Sequence, residues 1–294
     1  MTELDWLAEG FERNRVRLRA VAYRMLGSLA EADDAVQEAW LRLSRSGAGG
    51  IDSLDAWLTT TVVRLCLNML RSRNRRREEP MGVRVPDPVV SHADGVSPED
   101  AALLADSVGL ALQVVLETLA PAERLAFVLH DMFDLPFEEI APMVGRSPAA
   151  TRQLASRARR RVRGNEAPAP DPDIGRQREV VEAFFAAAHR GDLDALVAVL
   201  DPHVVLRSDK GAARPDESVV VHGAAAVAGR ALMFERPSAQ VRPALVNGAA
   251  GVVVTVGGRP VSVMGFTVSR GKIVEVNVMA DPERLARLNL AGLD

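Results

Sequence analysis

Cysteine is nearly absent from this chain: Cys66 stands alone among 294 residues, which excludes an internal disulfide and any cysteine-based metal cluster. Lysine is almost as scarce. Lys210 and Lys272 are the only two, so positive charge is carried almost wholly by arginine. Aromatic side chains make up 4% of the chain, which leaves Leu, Val and Ala to build the cores. Long apolar runs are missing as well, and a stretch such as Val252 to Val256 is far too short to cross a bilayer. The opening MTELDWLAEGFERNRVRLR has no apolar stretch of signal-peptide type, so a cytoplasmic protein with no membrane partner is expected. The five histidines are scattered without ligand spacing, and neither a metal nor a cofactor is expected.

What is present is a globular composition, 48% hydrophobic and 26% charged, long enough for two or three small domains. The net charge of −3 speaks against a nucleic-acid partner until its distribution is considered. Arginine crowds into two stretches, Arg71 to Arg77 and Arg152 to Arg163, and a binding footprint is local. Two proline-bearing segments divide the chain. The first, residues 78–99, holds Pro80, Pro86, Pro88 and Pro98; the second, residues 164–174, alternates Pro168, Pro170 and Pro172.

The divided chain reads as multidomain. Residues 1–77 are helical: Leu29, Ala32, Val36, Ala39 and Leu43 form one apolar stripe, and Leu58, Val62, Leu65, Cys66 and Met69 another. Residues 100–163 are helical again. Residues 175–294 open with helical segments at Arg176 to Arg190 and Leu193 to Leu200. Strand-like runs follow at Val204 to Leu206, Ala249 to Val256, Val261 to Val268 and Ile273 to Val278, with hairpin turns expected at Gly257-Gly258 and Arg270-Gly271. That last block is α+β.

The most informative segment is PFEEIAPMVGRSPAATRQLASRARRRVR, Pro136 to Arg163. Ile140 and Val144 mark a short helix that Gly145 stops by taking the left-handed conformation. Pro142 inside it removes a backbone donor. Ser147 then reads as N-cap and Pro148 as the first residue of a second helix. Leu154, Ala158 and Val162 turn toward the core, while Arg152, Gln153, Ser156, Arg157 and Arg160 occupy the other faces. Helix, glycine turn and basic helix make a helix-turn-helix, whose second helix enters the major groove. Arginine suits that task because its planar fork pairs two acceptors on a guanine edge, or a phosphate. An ordinary helical hairpin with a charged surface is the competing reading.

With these motifs in view, the chain resembles the extracytoplasmic-function (ECF) sigma factors of RNA polymerase. LETLAPAERLAFVLHDMFDLPFEEIA and VGRSPAATRQLASRARRRV match that family's fourth region, which reads the −35 promoter element. YRMLGSLAEADDAVQEAWLRL and LDAWLTTTVVRLCLNMLRSRNRRREE match its second. The resemblance implies two all-α sigma domains, with RNA polymerase core and promoter DNA as partners. It assigns Asp33, Asp34, Gln37, Glu38 and Trp40 to docking on the polymerase. It assigns the helix carrying Thr60, Arg64, Asn68 and Arg71 on one face to the −10 element, with Arg73, Arg75, Arg76 and Arg77 neutralising phosphates. The preceding loop, Ile51 to Asp55, would capture an unstacked base. In the fourth region Arg146 and Ser147 join the exposed face of the second helix as candidate DNA contacts. Cys66, on the apolar face, is expected to be a small core residue rather than a redox sensor.

The C-terminal block resembles the SnoaL-like domain, a curved sheet wrapped by helices around a cavity, which one ECF group carries. Altered counterparts of that group's motifs are Arg84-Val85-Pro86-Asp87-Pro88 in the first linker, Ser208-Asp209-Lys210-Gly211-Ala212, and Asp281-Pro282-Glu283-Arg284-Leu285. The resemblance therefore marks Arg84, Pro86, Asp87, Asp209, Lys210, Asp281, Pro282, Arg284 and Leu285 as interdomain regulatory positions, and it allows a small-molecule ligand in the cavity. His203, Asp209, His222 and Asp281 are the available acid/base candidates, but no spacing forces any two together. The leading expectation is a sigma factor without a reaction of its own, modulated by its third domain. A SnoaL-type cyclase or isomerase fused to a DNA-binding module, and a ligand-sensing helix-turn-helix regulator, are the alternatives.

Overall fold

The computed structural model describes residues 3–47, 49–76, 83–92, 109–164, 170–234, 238–288 and 290, with no side-chain description for residues 3, 74–76 and 234. Arg77, residues 78–82 and 93–99 of the first proline-bearing segment and residues 165–169 of the second lie outside the described residues. The described chain falls into two compact units: one made of residues 3–76 and 115–164, the other of residues 83–92, 109–114 and 170–290.

In the first unit, α1 (Glu3–Leu26), α2 (Leu29–Ser46) and α3 (Leu54–Arg76) pack together. Ser28 caps α2 by accepting from the Glu31 amide, and Gly47 ends it. Ala32, Ala35, Val36, Ala39 and Leu43 are buried along α2. On α3 the buried set is Leu58, Val62, Val63, Cys66, Leu67 and Leu70; Leu65 and Met69, expected in the stripe, are only half-buried. The apolar arc is wide enough that a four-residue ladder drawn from sequence lands one position off its centre.

The same unit continues through α4 (Leu110–Glu117), whose last three residues belong to it, then α5 (Pro121–Phe127), α6 (Phe137–Val144) and α7 (Pro148–Gly164). A five-residue π turn, Val128–Met132, extends α5. The α5–α7 section rests on the first three helices. Arg124 donates from Nη1 to the Met25 carbonyl at 2.7 Å, and the Arg24 guanidinium lies 5.5 Å from the centre of the Phe133 ring. Arg24 is 2% exposed and Arg124 3%, so these are buried polar links between the two helical sections.

The second unit is α+β, the expected class. Helices α8 (Ile174–His189), α9 (Leu193–Val199) and α10 (Ala224–Phe234) accompany a seven-stranded sheet. Its strands are β1 (Val90–His92), β2 (Leu200–Asp209), β3 (Val219–His222), β4 (Ala239–Val246), β5 (Ala249–Val256), β6 (Arg259–Ser269) and β7 (Lys272–Met279), in the order β1-β4-β5-β6-β7-β2-β3. Only the β2–β7 pair is parallel. The three hairpins turn at Asn247-Gly248, Gly257-Gly258 and Arg270-Gly271, every one of these six residues with positive φ, as two-residue turns of the primed type require. Strand β1 comes from the first proline-bearing segment: residues 90–92 pair with residues 244–246 of β4.

The sheet buries both faces. Ala250, Val252, Phe266, Val268 and Val276 face a core shared with Val181, Phe184 and Leu196 of the helices. On the opposite side Val246, Val253, Val263 and Met279 meet Val85, Leu110 and Leu285. Gly251 and Gly265 stand opposite each other in register there; a side chain at either would run into Val246, and at Gly265 into Leu110 as well. A short helix, α11 (Pro282–Leu285), capped by Asp281, delivers Leu285 to that second core.

Candidate nucleic-acid interface and the clasp on the connecting segment

The expected turn between α6 and α7 is built as its residues dictate. Gly145 has φ 69° and ψ 41°, and its amide donates to the Ala141 carbonyl. Ser147 Oγ accepts from the Ala150 amide at 3.2 Å, and Pro148 opens α7. Pro142 is exposed and α6 runs through it, giving up a single ladder bond. Arg146, Ser147, Arg152, Gln153, Ser156, Arg157 and Arg160 are all exposed. The buried face of α7 differs from the expected one. Thr151, Ala155 and Ala158 are buried, while Leu154 and Val162 are half-buried, because small residues let α7 sit close on its neighbours.

Ion pairs hold several arginines along α7. Glu123, in the first turn of α5, accepts Arg157 at 3.1 Å and Arg161 at 3.0 Å. Asp131 takes Arg159 at 2.7 Å; burial pushes the Asp131 carboxyl above its ordinary range although Arg159 pulls the other way. Arg152 lies 5.2 Å above the Phe137 ring and 3.9 Å from Glu138. Glu123 and Asp131 do not register as part of a DNA-facing helix in sequence; the acidic residue in an N-terminal turn is the one signal for Glu123.

On α3, Arg64, Asn68 and Arg71 are exposed on one side, with Thr60 half-buried beside them. Arg73 is turned inward instead, pairing with Glu31 and donating to the Leu26 carbonyl at 2.9 Å, so it fastens α3 to α2. The side chains of Arg75 and Arg76 are outside the described residues. Ser53 caps α3 at the end of the Ile51–Asp55 loop, and Asp55 accepts from Asn14 at 2.7 Å. On α2, Asp33, Asp34 and Gln37 are exposed and Glu38 and Trp40 half-buried. Asp33 pairs with Arg19 at 2.6 Å and Glu38 with Arg42 at 2.8 Å, and Trp40 packs on Phe11 with ring centres 5.1 Å apart. Cys66 is fully buried and its thiol is pushed up to about 12 by desolvation, a core residue rather than a reactive one.

In the second unit the three altered motifs converge on Arg284. Its Nε donates to Asp87 at 2.6 Å, Nη1 to Asp209 at 2.7 Å and Nη2 to the Val85 carbonyl at 2.5 Å. The second Asp209 oxygen accepts from Gly211, and the one shared with Arg284 also accepts from the Val85 amide, both at 2.9 Å. Burial opposes the Arg284 charge, yet Asp87 and then Asp209 outweigh it and raise its pKa above the ordinary arginine value. Asp281 caps α11 beside Gly211, where a Cβ would overlap its carboxylate. Leu285 packs with Val85. Pro86 is buried, Arg84 half-buried and Pro282 exposed. The sequence motifs did not single out Val85 itself, whose backbone is what the clasp holds.

The acid/base candidates are not gathered. His203 and His222 are exposed, Asp209 belongs to the clasp and Asp281 to the α11 cap. No cluster of metal-ligating side chains occurs among the described residues, and no helix there is long and apolar enough to cross a membrane.

Comparison with known proteins agrees with this geometry. Residues 11–76 match the family model Sigma-70 region 2, and residues 109–162 match Sigma-70, region 4. A probable ECF RNA polymerase sigma factor, SigI of Mycobacterium tuberculosis, is 36% identical over 295 aligned residues, covering 99% of this chain and 100% of that protein. The ECF RNA polymerase sigma factor SigJ of the same species is 45% identical over 214, covering 72% of this chain and 68% of its own. The crystal structure of M. tuberculosis SigJ superposes with a TM-score of 0.76 at 37% identity, across 96% of this chain and 99% of that one. Two sigma regions in order, the helix-turn-helix they contain, and relatives matched from end to end leave one conclusion: this chain belongs to the ECF family of RNA polymerase sigma factors, which direct the polymerase to promoters.

Proposed function

We propose that the α+β unit modulates promoter use by gripping the segment that joins the two sigma regions. The observation that carries this reading is Arg284, which ties residues 85 and 87 of that segment to Asp209 of the sheet. Residues 83–92 lie in sequence between α3 and α5–α7, so their hold restrains how far those sections can part. Parting is required on DNA. The −10 and −35 elements are separated by about 25 base pairs, or ~85 Å at about 3.4 Å per pair, whereas α3 and α7 belong to one compact unit. The Arg124 bond to Met25 and the Arg24 contact with Phe133 must therefore break, and a clasp on the connecting segment biases that step.

Within this reading, α7 reads the −35 element through Arg152, Gln153, Ser156, Arg157 and Arg160, with Arg146 and Ser147 on the flanking backbone. Arg64, Asn68 and Arg71 line the −10 face, and Asp34, Gln37 and Glu38 meet the polymerase. A factor with no reaction of its own is the reading that fits the sigma factors this chain matches. The test is promoter-dependent RNA synthesis with core polymerase and three proteins: full length, residues 1–280, and residues 1–164. Modulation by the clasp requires both truncations, which lack Arg284, to differ from full length at equal folded concentration. Identical synthesis from all three would refute it.

A further inference from the structure

The α+β unit contains a cavity of about 380 Å³ between α8, α10 and the inner face of the sheet, within the size range of small-molecule sites. Its walls are mainly apolar, with Phe185, Val254, Met264 and Val278 typical of them. His189, Lys210 and Arg230 also line it, and each of these three already has an interaction partner. The polar side chains left over are two hydroxyls, Ser208 on β2 and Ser262 on β6.

Ser208 is the group that points to a ligand. It is 7% exposed and lines the cavity, yet its Oγ makes no hydrogen bond to any described residue. A buried hydroxyl without a partner is costly, and buried polar groups in native proteins are nearly always satisfied. Strand geometry sets its direction, because successive side chains on β2 point to opposite faces. Leu206 and Ser208 line the cavity, while Asp209 turns to the other side and is engaged by Arg284 and by the amides of Val85 and Gly211. Val278 of β7 and Met264 of β6 stand in one row with Ser208 across the sheet, about 5 and about 10 Å away at the spacing of neighbouring strands. The row thus has a hydrogen-bonding group at one end and an apolar surface beyond it.

From this we infer that the cavity binds an uncharged lipophilic molecule with an oxygen function, a ketone or an alcohol. Its oxygen meets the Ser208 hydroxyl, which can donate to a carbonyl and both donate to and accept from an alcohol. Its apolar body crosses Val278 and Met264 toward Val254. An ionised head group would have to leave water for apolar walls and for charged groups that are already engaged, which costs far more than transferring a ketone. Binding is a property of the α+β unit alone. Its regulatory meaning rests on the modulation proposed above, because Ser208 adjoins Asp209 of the clasp.

The test is calorimetric titration of the full-length protein with four probes of similar apolar size, the charged ones below their micelle concentrations: 2-decanone, butylbenzene, decanoate and decyltrimethylammonium. The ketone should bind most tightly, and each charged probe at least ten-fold more weakly. Butylbenzene, which lacks the oxygen, should fall about two- to ten-fold short of the ketone, the worth of one neutral hydrogen bond. Ser208→Ala should bring the ketone down to the hydrocarbon's affinity without changing the hydrocarbon's own. Ser208→Thr, which keeps the hydroxyl, should retain the difference. Val254→Trp, which fills the cavity, should abolish binding of every probe; Val254→Phe, expected to weaken all of them together, covers the event that the bulkier variant melts early. No binding of the ketone, a charged probe within ten-fold of it, or a ketone preference that survives Ser208→Ala in a folded protein overturns the inference. Transcription indifferent to a bound ketone would count against the modulation and leave the site standing. Transcription altered by truncation, with no ketone binding, would do the reverse.

Discussion

Replacing Arg284 by methionine should release the connecting segment while leaving the rest of the sheet folded. The side chain is of similar length, so the change removes charge and hydrogen bonds more than volume. It takes the shared counter-charge from Asp87 and Asp209, which are 7% and 4% exposed. Removing one partner of a fully buried ion pair costs about 3–5 kcal/mol. The Arg284 side chain keeps 17% of its surface exposed, and Asp209 retains the Val85 and Gly211 amides, so the lower end applies, about 3 kcal/mol. A chain of two units need not unfold in one step, so local opening is the appropriate observable. Hydrogen exchange at the amides of Val85 and residues 90–92 should accelerate by about a hundredfold, since each 1.4 kcal/mol is about tenfold. Amides of β5 and β6 should be much less affected. Arg284→Lys keeps the charge but loses the planar fork, and should fall between the two. Combining Arg284→Met with Asp87→Asn and Asp209→Asn should restore much of the protection, because the buried charges leave together. Exchange at Val85 within threefold of wild type in Arg284→Met would refute the clasp as the element holding the segment.

Three further outcomes are expected. Arg152→Ala should weaken −35 binding by about 1–3 kcal/mol if its contact is bidentate to a base; titration of matched and base-swapped promoters checks it, and unchanged affinity and preference remove it from the groove. Reversing charge at Asp34 and Glu38 should abolish capture by core polymerase with the thermal melt preserved; retained capture makes that face merely solvated. Asp171 accepts from the Arg270 and Gly271 amides at 2.9 Å, and these bonds hold its carboxyl below the usual aspartate range. Its stabilising effect is therefore present above the unfolded pKa of about 3.9 and lost as pH falls through the lower folded value. Asp171→Ala should accelerate exchange at that turn at pH 6, and exchange normalised for intrinsic rates should converge with wild type near pH 2; a difference that persists there contradicts the charge argument.

Sequence by itself determined whatever depends on neighbours in the chain. The stop at Gly145, the Ser147 cap and the Gly257-Gly258 and Arg270-Gly271 turns are set by residues within one turn of each other, and so were legible. The two sigma regions, with their order and exposed arginines, were legible through motif. Strand β4 was not read, although Asn247-Gly248 signalled its hairpin. Pro243 and an irregular alternation of buried and exposed positions disguise it, and Pro243 is tolerated because it falls beyond the three residues paired with β1. In sequence Arg73 reads as a phosphate contact, because an arginine run gives no hint of which member turns inward; Glu31 decides that, from another helix. Tertiary structure alone placed residues 90–92 in the sheet, since a three-residue strand carries no periodic signal. It alone made Arg284 a junction, by joining it to Asp87, 197 positions away, and to Asp209, 75 away. Local pattern reports which face a residue prefers, but a buried charge takes its partners from whichever strands the closed sheet brings beside it.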